Sequence, residues 1–305
     1  MDNYCWGIDL GGTKIECAII DKITNECVLR KRTPTETSRG YDVILSNIKS
    51  LIDTCAQEIG YYPKIIGFGT PGALDPASGT MKNCNTTCLN GKPLDQDLRN
   101  ILNCEIKLAN DANCFALAEA NMGAVPEVDP KAQVVFGVIL GTGVGGGVVV
   151  DGKIVHGKHG IGGEWGHNVF LPDHDVQCYC GKYGCLEQII AGPSLERYYF
   201  SLTDKKLKLK DIIDSYRSDT FDEAANLTVN RLLDYFSLSL SYVLNLLDPD
   251  VVVIGGGVGN VDEIYSDLLY EKLEKLIFNE HVNTKIIKPS LGDSAGVFGA
   301  ALLIK

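Results

Sequence analysis

The stretch Gly7-Ile8-Asp9-Leu10-Gly11-Gly12-Thr13 is matched in the second half of the chain by Gly137-Val138-Ile139-Leu140-Gly141-Thr142-Gly143. Each stretch opens a unit, residues 7–21 and 137–151, with the pattern of a strand, a glycine turn and a second strand rich in β-branched residues. A unit that occurs twice in this way indicates that the chain consists of two similar halves.

The segments around these units alternate between helix and strand patterns. Residues 41–59 place their apolar side chains on one helical face, and residues 65–68 follow as a short buried strand. The second half predicts a long helix near residues 226–247, a strand over residues 251–254 and a last helix from about Ser294. A glycine and two prolines between residues 121 and 133 indicate a hinge. The sequence therefore predicts an α/β protein whose two similar domains face each other across a cleft.

Composition excludes several classes of function. The chain has 305 residues, of which 45% are hydrophobic, and a formal net charge of −11. Such an acidic chain is not expected to bind nucleic acid or anionic membranes, since both depend on basic surface. No stretch has the length and apolar character of a membrane span, and the first ten residues lack a signal-peptide pattern. Eleven cysteines without framework spacing are typical of reduced thiols, so we expect a cytoplasmic protein.

Four residues form a candidate metal site. Three thiols occur as Cys178-x-Cys180-Gly-x-x-Gly-Cys185, and His167 stands eleven residues before the first of them. Three thiolates and an imidazole are a ligand set that tetrahedral zinc takes, and Gly181 and Gly184 suit a tight turn with positive φ around an ion. A site closed by four protein ligands predicts a structural zinc, because no position is left for an activated water.

The glycine turns are candidates for binding phosphate. Residues 141–148 match the Gly-x-Gly-x-x-Gly pattern, but they continue into a strand where a dinucleotide fold requires a helix. Protein-kinase and Walker signatures are absent from the sequence. What remains is a pair of turns, residues 11–13 and 141–147, whose exposed amides and hydroxyls can approach phosphate oxygens. The alternative is two ordinary hairpin turns.

These motifs together resemble the ROK family of sugar kinases over nearly the whole chain. The motifs that carry the resemblance are Asp9-x-Gly11-Gly12-Thr13-Lys14, Asn110-Asp111-Ala112-Asn113, Gly141-Thr142-Gly143-x-Gly145-Gly146, Glu164-Trp165-Gly166-His167 and the cysteine cluster. The resemblance implies an actin-like ATPase fold of two ribonuclease-H-like lobes, ATP and magnesium as cofactors, a structural zinc, and a homodimer or homotetramer. We place the N-terminal lobe at residues 1–121 plus about 291–305, and the C-terminal lobe, with the zinc loop, at residues 122–290.

The resemblance also implies roles for single residues. Asp111 would be the general base, since an ordinary Asp is ionised at neutral pH and can accept the proton of a sugar hydroxyl. The alternative is that Asp111 only caps the helix that follows it. Sugar-binding side chains would be Asn110, Glu164, His167 and Glu187. For the nucleotide and its magnesium, the candidates are Asp9, Gly11, Gly12, Thr13, Lys14, Gly141, Thr142, Gly143, Gly256 and Gly257.

Within the family, the fructokinase or mannokinase branch is the one most resembled by three stretches: Asn83-x-Asn85-Thr86-Thr87-x-Leu89-Asn90-Gly91, Glu164-Trp165-Gly166-His167-Asn168 and Cys178-Tyr179-Cys180-Gly181-Lys182. The expected reaction is ATP-dependent phosphorylation of D-fructose to fructose 6-phosphate, or else of mannose. The alternative is an N-acetylglucosamine, N-acetylmannosamine or glucose kinase. Two other classes remain, a non-catalytic sugar sensor and a zinc-organised interaction module. The intact Asp111 argues against the sensor, and the paired glycine turns argue against the module.

Overall fold

A computed structural model describes residues 3–305 of the chain. Its strands are Tyr4–Leu10 (β1), Lys14–Asp21 (β2), Cys27–Pro34 (β3), Ile65–Thr70 (β4), Ala73–Leu74 (β5), Met81–Lys82 (β6), Glu105–Asn110 (β7), Val134–Leu140 (β8), Val144–Val150 (β9), Lys153–Ile154 (β10), Val251–Gly255 (β11) and Lys285–Ile287 (β12). Its helices are Tyr41–Ile59 (α1), Leu94–Leu102 (α2), Asp111–Met122 (α3), Ala124–Val128 (α4), Glu187–Ile190 (α5), Gly192–Thr203 (α6), Leu209–Tyr216 (α7), Glu223–Leu247 (α8), Asp267–Glu274 (α9) and Ala295–Leu302 (α10). In this described part, no helix has both the length and the apolar character needed to span a bilayer.

The chain groups into two compact units. The first unit contains the chain up to Pro126, the segment Gly147–Gly162 and the C-terminal segment Ser290–Lys305. The second unit contains Glu127–Gly146 and Gly163–Pro289. The segment Gly147–Gly162, which the sequence-based division assigns to the C-terminal lobe, thus belongs to the first unit. The division into two folding lobes stays a prediction.

The first unit is built on a five-stranded sheet in the order β3-β2-β1-β4-β7. The strands β1, β2 and β3 form antiparallel hairpins, whereas β4 and β7 run parallel to β1. In this register Asp9 lies beside Gly69, and Thr70 lies beside Asn110. The carboxyl ends of three parallel strands therefore bring Asp9 and Asn110 to the same edge of the sheet, where ligands of α/β folds commonly bind.

Helix α10 packs against this sheet at unusually short range. A side chain at Gly7 of β1 would lie 2.4 Å from backbone atoms of Val297 and Ala301, and one at Gly67 of β4 would lie 1.8 Å from the Ala300 carbonyl oxygen. Glycine is needed at both positions because a helix backbone occupies the space of their Cβ atoms. The C-terminal helix is thus part of the core on which Asp9 is carried.

The second sheet has the order β10-β9-β8-β11-β12, and β8, β11 and β12 run parallel. The sequence pattern predicted β8, β9 and β11 but not the short strands β10 and β12. Strands β8 and β11 are continuous apolar runs, which is typical of parallel strands buried on both faces. The turn between β8 and β9 is shorter than expected. Strand β9 begins at Val144, so Gly145, Gly146 and Gly147 belong to the strand and only residues 141–143 form the turn.

Candidate functional site

Asn110 and Asp111 lie where β7 passes into α3. Asn110 has extended backbone angles, and its side-chain oxygen accepts a hydrogen bond from the Asn113 N–H at 2.8 Å. Asn110 is therefore the N-cap of α3, and the alternative assignment of that role to Asp111 is wrong. Asp111 stands in the first helical turn, and its Oδ1 accepts a hydrogen bond from the Ala112 N–H at 2.8 Å. Asp111 keeps part of its surface accessible to solvent, although the protein packs closely around its carboxylate.

Asp9 and Asp111, two carboxylates of the first unit, have raised pKa values. Burial raises the pKa of Asp9 to about 6, and repulsion from Asp111 and Glu16 adds to this, whereas Lys14 opposes it. Desolvation by the surrounding protein raises the pKa of Asp111, and the hydrogen bond from Ala112 lowers it. Two carboxylates that disfavour each other's charge suit a site that receives a cation.

The first glycine turn, residues 11–13, is held in place by hydrogen bonds to Lys14 and Thr35. Gly11 N–H donates to the Lys14 carbonyl oxygen at 3.0 Å, and the buried Thr35 hydroxyl donates to the Gly11 carbonyl oxygen at 2.7 Å. Gly12 and Thr13 face solvent. Lys14 is 40% exposed and lies 3.3 Å from the buried carboxylate of Glu16. The turn is therefore fixed by its carbonyl groups and leaves residues 12–14 accessible.

The four predicted metal ligands come together in the second unit. One ligand atom each from His167, Cys178, Cys180 and Cys185 lies within 4.8 Å of all the others. The Cys178 Sγ is 3.5 Å from His167 Nδ1, and the sulfurs of Cys180 and Cys185 are 3.5 Å apart. Gly181 and Gly184 have φ values of 86° and 72°, as the sequence predicted for a backbone that turns around an ion.

This donor set fits zinc by its chemistry and its spacing. Ligands about 2.0–2.3 Å from one tetrahedral ion lie about 3.5–3.8 Å from each other, which matches the observed S–N and S–S separations. The ring of His167 is oriented with Nδ1 toward the thiols, so Nδ1 is the nitrogen placed to bind a metal. All eleven cysteines are free thiols, so none of these three is engaged in a disulfide.

The second ring nitrogen of His167 has a partner that the sequence did not predict. Its Nε2 lies 2.9 Å from the hydroxyl of Tyr179 and 4.0 Å from a carboxylate oxygen of Glu164. The rings of His167 and Tyr179 meet edge to face, with centroids 5.0 Å apart. We expected this nitrogen to face a sugar hydroxyl, but here it faces a phenol. The only signal for Tyr179 in the sequence was its position between two of the cysteines.

Glu187, a predicted sugar ligand, contacts both the thiol cluster and the second glycine turn. Its Oε2 accepts a hydrogen bond from the Val144 N–H at 3.1 Å, and its Oε1 lies 3.9 Å from the Cys178 sulfur. Gly143 lies against the same carboxylate, because a Cβ at that position would be 2.6 Å from Oε2. Gly143, predicted to bind the nucleotide, therefore packs against Glu187.

A cavity of about 570 Å³ opens beside the second glycine turn. Three of its lining residues, Gly141, Thr142 and Gly257, were predicted to bind nucleotide. The remaining walls come from the starts of α6 and α7 and from the segment after β11, and they combine apolar side chains with a few charged ones: Gly192, Pro193, Glu196, Lys208, Leu209, Lys210, Ile213, Asp214, Arg217, Val258, Asn260 and Val261. A cavity of this size and character suits a small organic ligand.

Helix α7 is the part of this cavity that sequence reasoning missed. The mixture of Lys and Asp in residues 201–223 predicts a solvated surface, but Ile212 and Ile213 are buried and residues 208–217 form one cavity wall. The available signal was the spacing of Leu209, Ile212, Ile213 and Tyr216, which is the apolar stripe of a short helix. Gly256, next to the cavity residue Gly257, has a φ of 90°, and a Cβ there would be 2.4 Å from the Leu140 carbonyl oxygen. This position therefore needs glycine.

The loop that suggested fructose as the substrate is held together by its own signature residues. Asn90 accepts a hydrogen bond from the Cys84 N–H at 2.8 Å and donates to the Cys84 carbonyl oxygen at 3.1 Å. Thr86 and Leu89 are buried. These residues specify the shape of the loop, so their identity carries little information about the sugar.

Comparisons with known proteins agree with this geometry. The model of the ROK family matches residues 5–305. The chain is 37% identical over 312 residues to the N-acetyl-D-glucosamine kinase of Pectobacterium atrosepticum, with 98% of each chain covered. It is 36% identical to the enzyme of the same name from Vibrio atlanticus, again with 98% of each chain covered. The crystal structure of a ROK hexokinase from Thermus thermophilus is similar with a TM-score of 0.85 and 30% identity, covering 98% of this chain and 97% of that one.

Fold and site together define a phosphotransferase with the actin-like ATPase fold of two α/β domains. The chain belongs to the ROK family and is an ATP-dependent sugar kinase. The fructokinase or mannokinase branch suggested by the sequence is not supported, because the curated relatives carry the name N-acetyl-D-glucosamine kinase. The oligomeric state and the cytoplasmic location stay predictions.

Proposed function

We propose that this kinase transfers the γ-phosphoryl group of ATP to a hydroxyl of N-acetyl-D-glucosamine. The observation that carries the proposal is the similarity to N-acetyl-D-glucosamine kinases at 35–37% identity along 98% of the chain. The expectation of fructose rests on three stretches of sequence, and in one of them, the 83–91 loop, the Asn90 side chain is occupied by hydrogen bonds that shape the loop itself. N-acetyl-D-glucosamine, the alternative in the sequence analysis, is therefore the better-supported substrate.

Asp111 is proposed as the general base. As the sugar oxygen forms its bond to the γ-phosphorus, the bond from that phosphorus to the bridging oxygen of ADP breaks, and the hydroxyl proton passes to the Asp111 carboxylate. Its exposed position in the first turn of α3 leaves one carboxylate oxygen in addition to the one that accepts from Ala112. The raised pKa makes this carboxylate a better proton acceptor than an ordinary Asp.

The sugar is proposed to contact Asn110, Glu164 and Glu187, and to contact His167 at Nε2 by displacing the Tyr179 hydroxyl. Carboxylates and amides accept and donate the hydrogen bonds that sugar hydroxyls and an acetamido group need. Two of these side chains belong to the cysteine-rich segment, since His167 lies 3.5 Å from one cysteine and Glu187 lies 3.9 Å from the same one. When bound to His167, Cys178, Cys180 and Cys185, zinc would hold this segment in shape without taking part in chemistry.

ATP is proposed to bind at the two glycine turns. Gly141, Thr142 and Gly257 line the cavity of the second unit, and Gly256 shapes the backbone behind it. Gly11, Gly12, Thr13 and Lys14 supply amides, a hydroxyl and a charge from the first turn. Asp9 is proposed to hold magnesium, which would neutralise phosphate charge when bound.

A coupled assay of ADP release tests the proposed substrate. We expect N-acetyl-D-glucosamine to give a higher kcat/KM than fructose, mannose, glucose or N-acetylmannosamine under the same MgATP concentration. A preference for fructose would overturn the choice of sugar, and a complete lack of ADP release with every sugar would favour the non-catalytic sensor.

Replacing the base gives the first variant prediction. Asp111→Asn keeps an oxygen that can accept from the Ala112 N–H but cannot take up a proton, so we expect kcat to fall about 10²–10⁴-fold. Binding of N-acetyl-D-glucosamine, measured by calorimetry without nucleotide, should change little. A variant that turned over at the normal rate would remove Asp111 from the role of base.

A further inference from the structure

The carboxylate of Glu187, which is proposed above to bind the sugar, also contacts the second glycine turn, which is proposed to bind the nucleotide. Its Oε2 accepts from the Val144 N–H at 3.1 Å, at the point where the second glycine turn enters β9. The absence of a side chain at Gly143 is what allows the carboxylate to lie there, since a Cβ would be 2.6 Å from Oε2. This turn also lines the cavity at Gly141 and Thr142.

The other end of the turn is held by the same segment of chain. The Gly192 N–H donates to the Gly141 carbonyl oxygen at 2.8 Å. Glu187 and Gly192 are joined by the short helix α5, and the Glu187 carbonyl oxygen accepts from the Ser194 hydroxyl at 2.8 Å and from the Ala191 N–H at 3.2 Å. Residues 187–194 therefore hydrogen-bond to both the start of the turn, at Gly141, and its end, at Val144.

We propose that Glu187 is a positioning residue for the nucleotide turn, so that binding of sugar and binding of nucleotide are coupled through this one carboxylate. The sugar half of the proposal rests on the proposed function, whereas the hydrogen bond to Val144 does not. A sugar hydroxyl that donates to Glu187 restrains the carboxylate and with it the Val144 N–H. By reciprocity of binding free energies, a nucleotide that orders the turn must then tighten sugar binding by the same factor.

The first experiment uses no sugar. The affinity for MgADP is measured by calorimetry for the wild type, Glu187→Ala and Glu187→Gln, together with the zinc content of each protein. The Ala variant loses the acceptor for the Val144 N–H, and we expect its MgADP affinity to fall about three- to tenfold. The Gln variant keeps a carbonyl oxygen in that place and should bind within about twofold of the wild type. An unchanged affinity in Glu187→Ala, or equal losses in both variants, would overturn the proposal.

The second experiment changes Gly143, the residue of the turn that packs against the Glu187 carboxylate. Gly143→Ala places a methyl group where Oε2 lies, and the φ of Gly143 is not positive, so the backbone accepts alanine. We expect the affinity for N-acetyl-D-glucosamine without nucleotide to fall about three- to tenfold, because the Glu187 carboxylate must move. The control is Glu271→Ala, at an exposed position of α9 outside the proposed sugar and nucleotide sites, which should leave the sugar affinity unchanged. Equal sugar affinities in the two variants would contradict the proposal.

Failure of the proposed substrate and failure of this inference are distinguishable. If the kinase acts on another sugar, the sugar-free MgADP measurements keep their meaning, and the Gly143→Ala measurement is repeated with that sugar. If N-acetyl-D-glucosamine is phosphorylated but Glu187→Ala binds MgADP normally, only the positioning role is lost.

Discussion

At the scale of single residues, Asp9 has the most unusual environment. It is largely enclosed at the end of β1, with Asp111 and Glu16 as like-charged neighbours, and its pKa is raised to about 6. The sequence placed Asp9 at a strand end but could not predict this shift, because the shift depends on burial and on charges brought together by the fold. The same limit applies to Asn110 and Asp111, whose order in the sequence does not say which of them caps the helix.

The raised pKa of Asp9 predicts how stability depends on pH. Because the folded state holds this proton up to about pH 6 and the unfolded state releases it near 3.8, stability falls as pH rises between these values. Relative to Asp9→Asn, the wild type should lose on the order of 1–3 kcal/mol of unfolding free energy between pH 4 and pH 7. Urea unfolding of the magnesium-free and nucleotide-free proteins measures this difference.

The control for this prediction is Asp219→Asn, a change at an exposed surface position. It should follow the wild type at both pH values. A pH-independent difference between the wild type and Asp9→Asn would show that the fold does not disfavour the charge on Asp9.

At the scale of elements, the cysteine-rich segment between Glu164 and Glu187 has little regular structure of its own. Apart from one short 3₁₀ turn, Trp165–His167, it is held by isolated bridges such as Val169 with Cys185 and Gln177 with Tyr183. Such a segment needs a cross-link to keep one conformation, and a tetrahedral ion can provide it. The sequence predicted this cluster well because ligand type and spacing are local, whereas α7 was missed because its short apolar stripe is masked by charged residues.

Replacing one cysteine of the cluster should loosen the segment. In Cys180→Ser we expect loss of bound zinc, and at least tenfold weaker sugar binding because Glu164, His167 and Glu187 lose their fixed positions. Zinc content is measured by atomic absorption and sugar affinity by calorimetry. The matched control is Cys27→Ser, another accessible thiol on the edge strand β3, which should leave both quantities unchanged. An ordinary sugar affinity in zinc-free Cys180→Ser would contradict the structural role of the metal.

At the scale of the whole molecule, Glu119 links the place where the chain first leaves the first unit to the place where it returns for the last time. Its buried carboxylate accepts hydrogen bonds from the backbone N–H groups of Ala124, Ser290 and Leu291, at 2.9, 3.1 and 3.0 Å. The exit to the second unit follows Pro126, and the return is at Ser290. The sequence indicated a hinge near residues 121–133, but a carboxylate that pairs with residues so distant in the chain leaves no local pattern.

Glu119→Gln tests how much these three hydrogen bonds stabilise the fold. The amide replaces one acceptor oxygen by a donor, which leaves at least one buried N–H without a partner. We expect a loss of about 2–3 kcal/mol in unfolding free energy. Denaturant unfolding monitored by circular dichroism measures it. The exposed neighbour Glu127 provides the control, since Glu127→Gln should change stability by less than about 0.5 kcal/mol. Equal stabilities of the two variants would refute the role of Glu119.

The close packing of α10 against Gly7 and Gly67 has a consequence for how the protein is made. The strand that carries Asp9 is synthesised well before the helix that covers its sheet, since residues 4–10 precede residues 295–302 in the chain. A nascent chain therefore exposes the uncovered face of this sheet until α10 has been made, while residues 127–289 can already begin to fold. Binding of chaperones during synthesis should concentrate on the uncovered sheet, and the emergence of α10 should end it.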